Sequence, residues 1–371
     1  MDLSNEDSLR LNVLLNQDLE AIRIDESKMI VYGLSPKGEA RVQLNPNCRD
    51  EQYIKKVKEV ISSHVLGSPG GYPIFLRRWT RMGQAKDDSL ERLLKLGEPE
   101  AVVAVVHAAG LTDELARRAW WAMPNADNAR RMLEKQAVVE GSMGRILAEF
   151  LVEFLPFEED PRDMIKSVEL VLQPGLIDNE TREGLWSRGQ RRNAFLVGFL
   201  RTVPDELPIE VPAHPRWADW RETLEGLDNP VARQLARVLS PAGQAFVQTV
   251  TTVTKKPATQ DVVVLLLEAI ENYFQSVRPG PAPSTDMAEL ITRAGEDIAA
   301  EAEGAWAAVR ETLPESEPLL VAMRALSWVG VPLVNPIFAR TDAIGTVMRR
   351  KIEPVTGPLL EQLDRLAGKG S

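Results

Sequence analysis

Glu149-Phe150-Leu151-Val152-Glu153-Phe154-Leu155-Pro156 and Val197-Gly198-Phe199-Leu200-Arg201-Thr202-Val203-Pro204 are two versions of one pattern, an apolar helical stripe that stops at a proline. Proline has no N–H for the helix ladder and pushes its predecessor out of helical backbone, so each stretch reads as a helix end. Working outward, apolar residues recur at helical spacing over residues 90–96, 101–109, 113–123, 126–139, 143–155, 162–172, 181–189 and 193–203. Thr112 and Asp178 stand where N-caps belong, and Pro124, Pro156, Pro174 and Pro204 follow four of the stripes. Pro124 to Pro156 spans 32 residues and Pro174 to Pro204 spans 30, a spacing of helix pairs known from HEAT and TPR solenoids. Neither consensus is complete, so a solenoid-like stack and an irregular bundle both stay open.

The first 84 residues read differently. Ile22 and Ile24, then Met29 to Tyr32, then Ala40 to Leu44 are short β-compatible runs, separated by Asp25-Glu26 and Ser35-Pro36-Lys37-Gly38, where Gly38 is free to take positive φ. A small antiparallel sheet is expected. Residues 50–64 follow as an amphipathic helix with Tyr53, Ile54, Val57, Val60 and Ile61 on one face. The fold class is therefore mainly α: a small N-terminal α+β unit followed by an α-solenoid-like or irregular helical array. The expected division is 1–84, 85–208 as helical hairpins, 209–278 as their continuation, and 285–371 as a C-terminal helical region. Pro204, Pro208, Pro212 and Pro215 mark one extended boundary, and Arg278-Pro279-Gly280-Pro281-Ala282-Pro283-Ser284 reads as a stiff linker. Residues 286–317 hold nine acidic side chains against Arg293 and Arg310, which suggests a solvent-facing acidic helix or a docking face for a basic partner.

With 54 acidic and 44 basic side chains the chain carries a net charge of -10, which disfavours general attraction to nucleic acid or anionic lipid. One cysteine, Cys48, rules out an intrachain disulfide or a thiolate cage, and His64, His107 and His214 lack ligand spacing, so neither cofactor nor metal is expected. The N-terminus is acidic and has no signal-peptide pattern. Residues 319–338 are apolar but contain Arg324, Asn335, Pro332 and Pro336, so they read as buried helix segments rather than a membrane span. A cytoplasmic protein without a transmembrane segment is expected.

The richest local chemistry lies in residues 64–84. Gly70 and Gly71 bring backbone N–H groups together beside Tyr72, and Arg77, Arg78, Trp79 and Arg81 follow, a set able to hold an anion, a nucleobase or a partner. The segment lacks P-loop and dinucleotide spacing, and a tight turn with paired arginines and a core tryptophan is the simpler account of it. Cys48, in a turn before a helix and beside Arg49, is a possible reactive thiol, although a lone cysteine commonly serves as a small buried residue. Trp120 and Trp121 point about 100° apart on a helix, so one is expected in the core and the other partly exposed or packed on the next helix. Glu158-Glu159-Asp160 reads as a helix cap, and no Gly-x-Ser-x-Gly elbow occurs.

His64 through Gln84, Glu100-Ala101-Val102-Val103-Ala104-Val105-Val106-His107 and Gly110-Leu111-Thr112-Asp113-Glu114-Leu115-Ala116-Arg117-Arg118-Ala119-Trp120-Trp121-Ala122-Met123-Pro124 resemble the DsrS family of sulfur reduction proteins. The resemblance runs from Met1 to about Pro208. It implies a cytoplasmic protein encoded beside the reverse dissimilatory sulfite reductase of sulfur-oxidising bacteria, with a part in oxidising stored sulfur, and it brings no catalytic residues with it. The function expected is thus a non-enzymatic binding or regulatory protein that contacts sulfur-oxidation components. The alternatives are a nucleic-acid-binding regulator using residues 77–81, or a sulfur-handling protein whose Cys48 carries a persulfide.

Overall fold

The alternation of Ile22, Arg23 and Ile24 gives a strand one apolar and one polar face, and the same period governs the two segments after it. They form β1 (Ala21–Asp25), β2 (Ile30–Ser35) and β3 (Gly38–Gln43), an antiparallel sheet in the order β1-β2-β3. The computed structural model describes residues 3–67 and 87–369, and the chain divides into two compact units, Met1–Pro156 and Phe157–Ser371.

Register in the sheet sorts the side chains. Ile22, Gly33 and Ala40 stand opposite one another, as do Ile24, Val31 and Val42, on the inner face, while Arg23, Tyr32 and Arg41 form a row on the outer face. Both turns follow their chemistry. Gly38 takes φ +114°, and Asp25 Oδ1 accepts hydrogen bonds from Ser27 Oγ at 2.7 Å and Lys28 N–H at 3.0 Å, which hold its carboxyl below the usual range.

The inner face packs on α1 (Asn5–Leu15) and α2 (Asp50–Leu66); Leu11, Leu14, Val31, Tyr53, Val57 and Ile61 share one core cluster. Ser4 caps α1 by accepting the Asp7 N–H at 3.1 Å. Asp7 is itself fully buried, accepting from the Asn45 N–H at 2.7 Å and from the Tyr53 hydroxyl, and so joins α1, the end of β3 and α2. The rest of this unit is helical: α3 (Asp87–Leu94), α4 (Pro99–Val106), α5 (Asp113–Ala122), α6 (Ala126–Leu133), α7 (Gln136–Val139) and α8 (Met143–Phe154). The single helix expected over 126–139 is broken, because Lys135 adopts extended backbone before α7 turns Val138 into the core.

In the second unit the elements are α9 (Pro161–Val171), α10 (Asn179–Gly189), α11 (Asn193–Thr202), α12 (Trp217–Gly226), α13 (Pro230–Leu239), α14 (Pro241–Lys255), α15 (Gln260–Tyr273), α16 (Met287–Ala300), α17 (Ala305–Thr312), α18 (Glu317–Ser327), α19 (Asn335–Phe338) and α20 (Gly345–Leu366). Asp160 caps α9 by accepting the Arg162 N–H at 2.7 Å, and Asp178 caps α10 through the Thr181 N–H at 2.8 Å. α11 buries Phe195, Leu196, Val197, Phe199 and Leu200, and a helix apolar all round belongs inside a bundle. It packs on α9, α10, α14 and α15, more neighbours than a repeat touching only the next in line would have. Arg201 reaches from α11 between Glu169 on α9 and Glu268 on α15, the latter at 2.7 Å. Residues 204–215 and 278–284 are irregular connections within this unit.

The acidic stretch forms two helices rather than one solvated helix. α16 buries Leu290, Ala294 and Ile298, and α17 buries Trp306, Ala307 and Val309, so the acids occupy only their outer faces. The apolar run at 319–338 becomes α18 and α19. Among the described residues no helix is long and apolar enough to cross a membrane.

Candidate functional site

Hydrogen bonding in a ladder alternates sides residue by residue, and this sets which backbone groups of the sheet stay open. The Leu34 carbonyl accepts the Glu20 N–H at 2.8 Å, so Leu34 faces β1, and the Leu44 N–H reaches Met29 O at 2.8 Å toward β3. It follows that Ile22 and Ile24 direct their N–H and C=O groups to the outer side of β1. Among the described residues they find no hydrogen-bond partner there.

That open edge forms one wall of a groove of about 540 Å³. The opposite wall comes from Gly97-Glu98-Pro99, Val102 and Ala122-Met123-Pro124, at the start of α4 and the end of α5. Gly97 makes this approach feasible: its φ is +69°, and a Cβ there would stand 3.0 Å from Ile24 and 3.1 Å from Ile22.

On the outer face of the sheet the groove meets a layered cation. The Arg23 guanidinium lies 4.6 Å from the centre of the Tyr32 ring and 5.0 Å from that of Trp121. Glu39 pairs with Arg23 at 3.5 Å and accepts the Trp121 Nε1–H at 3.0 Å. Among the described residues, Arg23 Nε is buried without a hydrogen-bond partner. Each ring contact is worth roughly 0.5–1 kcal/mol at a half-exposed position, so the cluster is a modest but directional link between β1, β2, β3 and α5.

A denser ionic network fixes where β1 begins. Arg117 bonds Glu20 at 2.7 Å and Glu114 at 2.6 Å, and Arg118 bonds Glu114 at 2.9 Å. The Arg117 hydrogen bond outweighs burial and holds the Glu114 carboxyl down to about 2. The strand is therefore anchored to α5 at its start and open along its edge. Backbone donors and acceptors at strand spacing, walls that mix apolar residues with Asp25, Glu26, Lys28 and Glu98, and a stacked guanidinium suit an extended peptide, which adds to a sheet edge through its main chain.

Gly70, Gly71, Tyr72, Arg77, Arg78, Trp79 and Arg81, singled out in the sequence, lie outside the described residues. Cys48 sits half-buried against the core of the first unit, and its thiol points to the Arg49 carbonyl at 3.7 Å. His107 bonds the Val103 carbonyl through Nδ1 at 2.9 Å, and His214 is buried, accepting the Arg216 N–H at 3.1 Å. Among the described residues no group of three His, Cys, Asp or Glu side chains is placed to hold a metal. Trp120 and Trp121 are both half-buried, so neither is a fully buried core ring; Trp120 packs on α8, meeting Phe150 edge-on at 4.8 Å, and Trp121 lies beside Arg23.

Sequence reasoning missed Arg23, Tyr32, Glu39 and the open amides of Ile22 and Ile24. Alternation identified the strand, but a strand's place at a sheet edge is a property of the assembled topology. No protein-family model matches the chain, and no curated protein or solved structure matches it significantly.

Proposed function

We propose that the protein is a non-enzymatic binding or regulatory protein that takes up an extended segment of a protein partner along β1. Its setting would be the cytoplasmic sulfur-oxidation machinery around the dissimilatory sulfite reductase, as the resemblance of residues 64–84, 100–107 and 110–124 implies. The observation that carries the binding role is the edge of β1 inside the 540 Å³ groove, where the main-chain groups of Ile22 and Ile24 have no partner among the described residues and the walls mix apolar with charged side chains. Main-chain pairing would supply affinity, and the Arg23–Tyr32–Trp121 cluster would select side chains on the outer face.

Affinity purification of the tagged full-length chain from sulfur-grown cells tests this, run beside a Met123→Arg variant that places a long cation in the groove wall. The expected result is a sulfur-oxidation component recovered with the wild type and lost with the variant. Recovery of the same proteins by both would refute the groove as the binding site.

A further inference from the structure

The other edge of the sheet carries a different signature. By the same alternation, Glu39, Arg41 and Gln43 turn their N–H and C=O groups to the outer side of β3. Beside this edge α1 presents Leu9 and Val13, 66% and 60% exposed, and a groove of about 520 Å³ separates the helix from the strand. An exposed strand edge flanked by exposed apolar side chains is a template for another chain.

Charge decides which chain. Glu39 and Arg41 have opposite signs, stand two residues apart and share the outer face of the sheet. When two copies of β3 pair antiparallel about a twofold axis through Ala40, Glu39 of each copy lies opposite Arg41 of the other. An axis through Arg41 would instead oppose two guanidiniums. Cross-strand opposite charges stabilise and like charges destabilise, so the edge is complementary to itself in one register. We propose that the protein forms a twofold dimer through β3, joining two sheets into one of six strands, with Leu9 and Val13 of both copies covering each other on the inner side. This edge lies across the sheet from the β1 groove; Glu39, which also bonds Arg23 and Trp121, is common to both, so variants at Arg41 and Val13 test the dimer without touching the groove.

Sedimentation equilibrium of the full-length chain, from about 1 μM to about 1 mM, spans the range expected of so short an interface. Wild type is expected to dimerise within it. Arg41→Glu, which opposes acid to acid twice, is expected to weaken the dimer by roughly tenfold or more. Arg41→Pro deletes an N–H that points away from β2, so it should abolish dimerisation and leave the fold, followed by circular dichroism, in place. Val13→Asp provides a third variant far from the sheet's hydrogen bonds and should also weaken association. A wild type that stays monomeric throughout, or an Arg41→Glu variant that dimerises as wild type does, overturns the proposal.

Discussion

Replacing Asp7 with alanine removes a carboxylate that is fully buried and shared by three elements. Its oxygens accept the Asn45 N–H at 2.7 Å, the Asn45 side-chain amide at 3.4 Å and the Tyr53 hydroxyl. Asn45 is exposed and regains water, whereas Tyr53 is 1% exposed and keeps only Ser4, at 3.4 Å. Leaving that hydroxyl poorly satisfied costs about 1–3 kcal/mol, and losing a charge-assisted bond to Asn45 adds about 1 kcal/mol after rehydration. Returning the carboxylate to water in the unfolded chain offsets part of this, so the net loss should be about 2–3 kcal/mol. Tyr53→Phe should cost about half as much, and the double variant should show coupling of about 1 kcal/mol. Hydrogen exchange of the α1 and α2 amides under native conditions reads the effect within the first unit alone, as a fall in protection of roughly 30- to 150-fold. Protection within about threefold of wild type would refute the assignment of Asp7 as the polar tie of this core.

Three further outcomes follow from the second unit. Arg324 is 4% exposed, lies 4.4 Å from the Trp306 ring centre and bonds Glu301 at 2.7 Å, so Arg324→Ala should cost about 2–4 kcal/mol in urea unfolding and Arg324→Met less than half of that. A Cβ on Gly198 would stand 2.7 Å from Val168, so Gly198→Leu should lower stability by about 1–3 kcal/mol or more through the α9–α11 contact, seen as a lower Tm. Burial pulls the His214 imidazole below its ordinary 6.5, so it folds neutral; the stability it gives is present above pH 6.5 and is lost as pH falls below that value. His214→Gln should flatten the decline of Tm with acid, and an unchanged profile would contradict the cause.

Much of the fold was legible because local chemistry and packing agree. The turns at Asp25 and Gly38 and the caps at Thr112, Asp160 and Asp178 each satisfy backbone groups within a few residues, so the sequence carries them whole. α1 went unread although Ser4 and the spacing of Leu11, Leu14 and Leu15 announce it; its polar residues outnumber its apolar ones, and Asp7 faces inward. The acidic stretch misled because charge density says nothing of the narrow apolar stripe through Leu290, Ala294 and Ile298. The β1 groove was not legible at all. It depends on which strand ends up at the edge and on Gly97 lying against Ile22 and Ile24, more than 70 residues apart in the chain.

Photo-crosslinking in sulfur-grown cells from a photoreactive residue at Met123, compared with one at the exposed Phe157, tests the β1 groove most directly. Partner capture through β1 predicts a discrete adduct with a sulfur-oxidation protein from position 123, absent from position 157. Adducts of the same kind from both positions, or none from position 123 while the chain is folded and abundant, would contradict it.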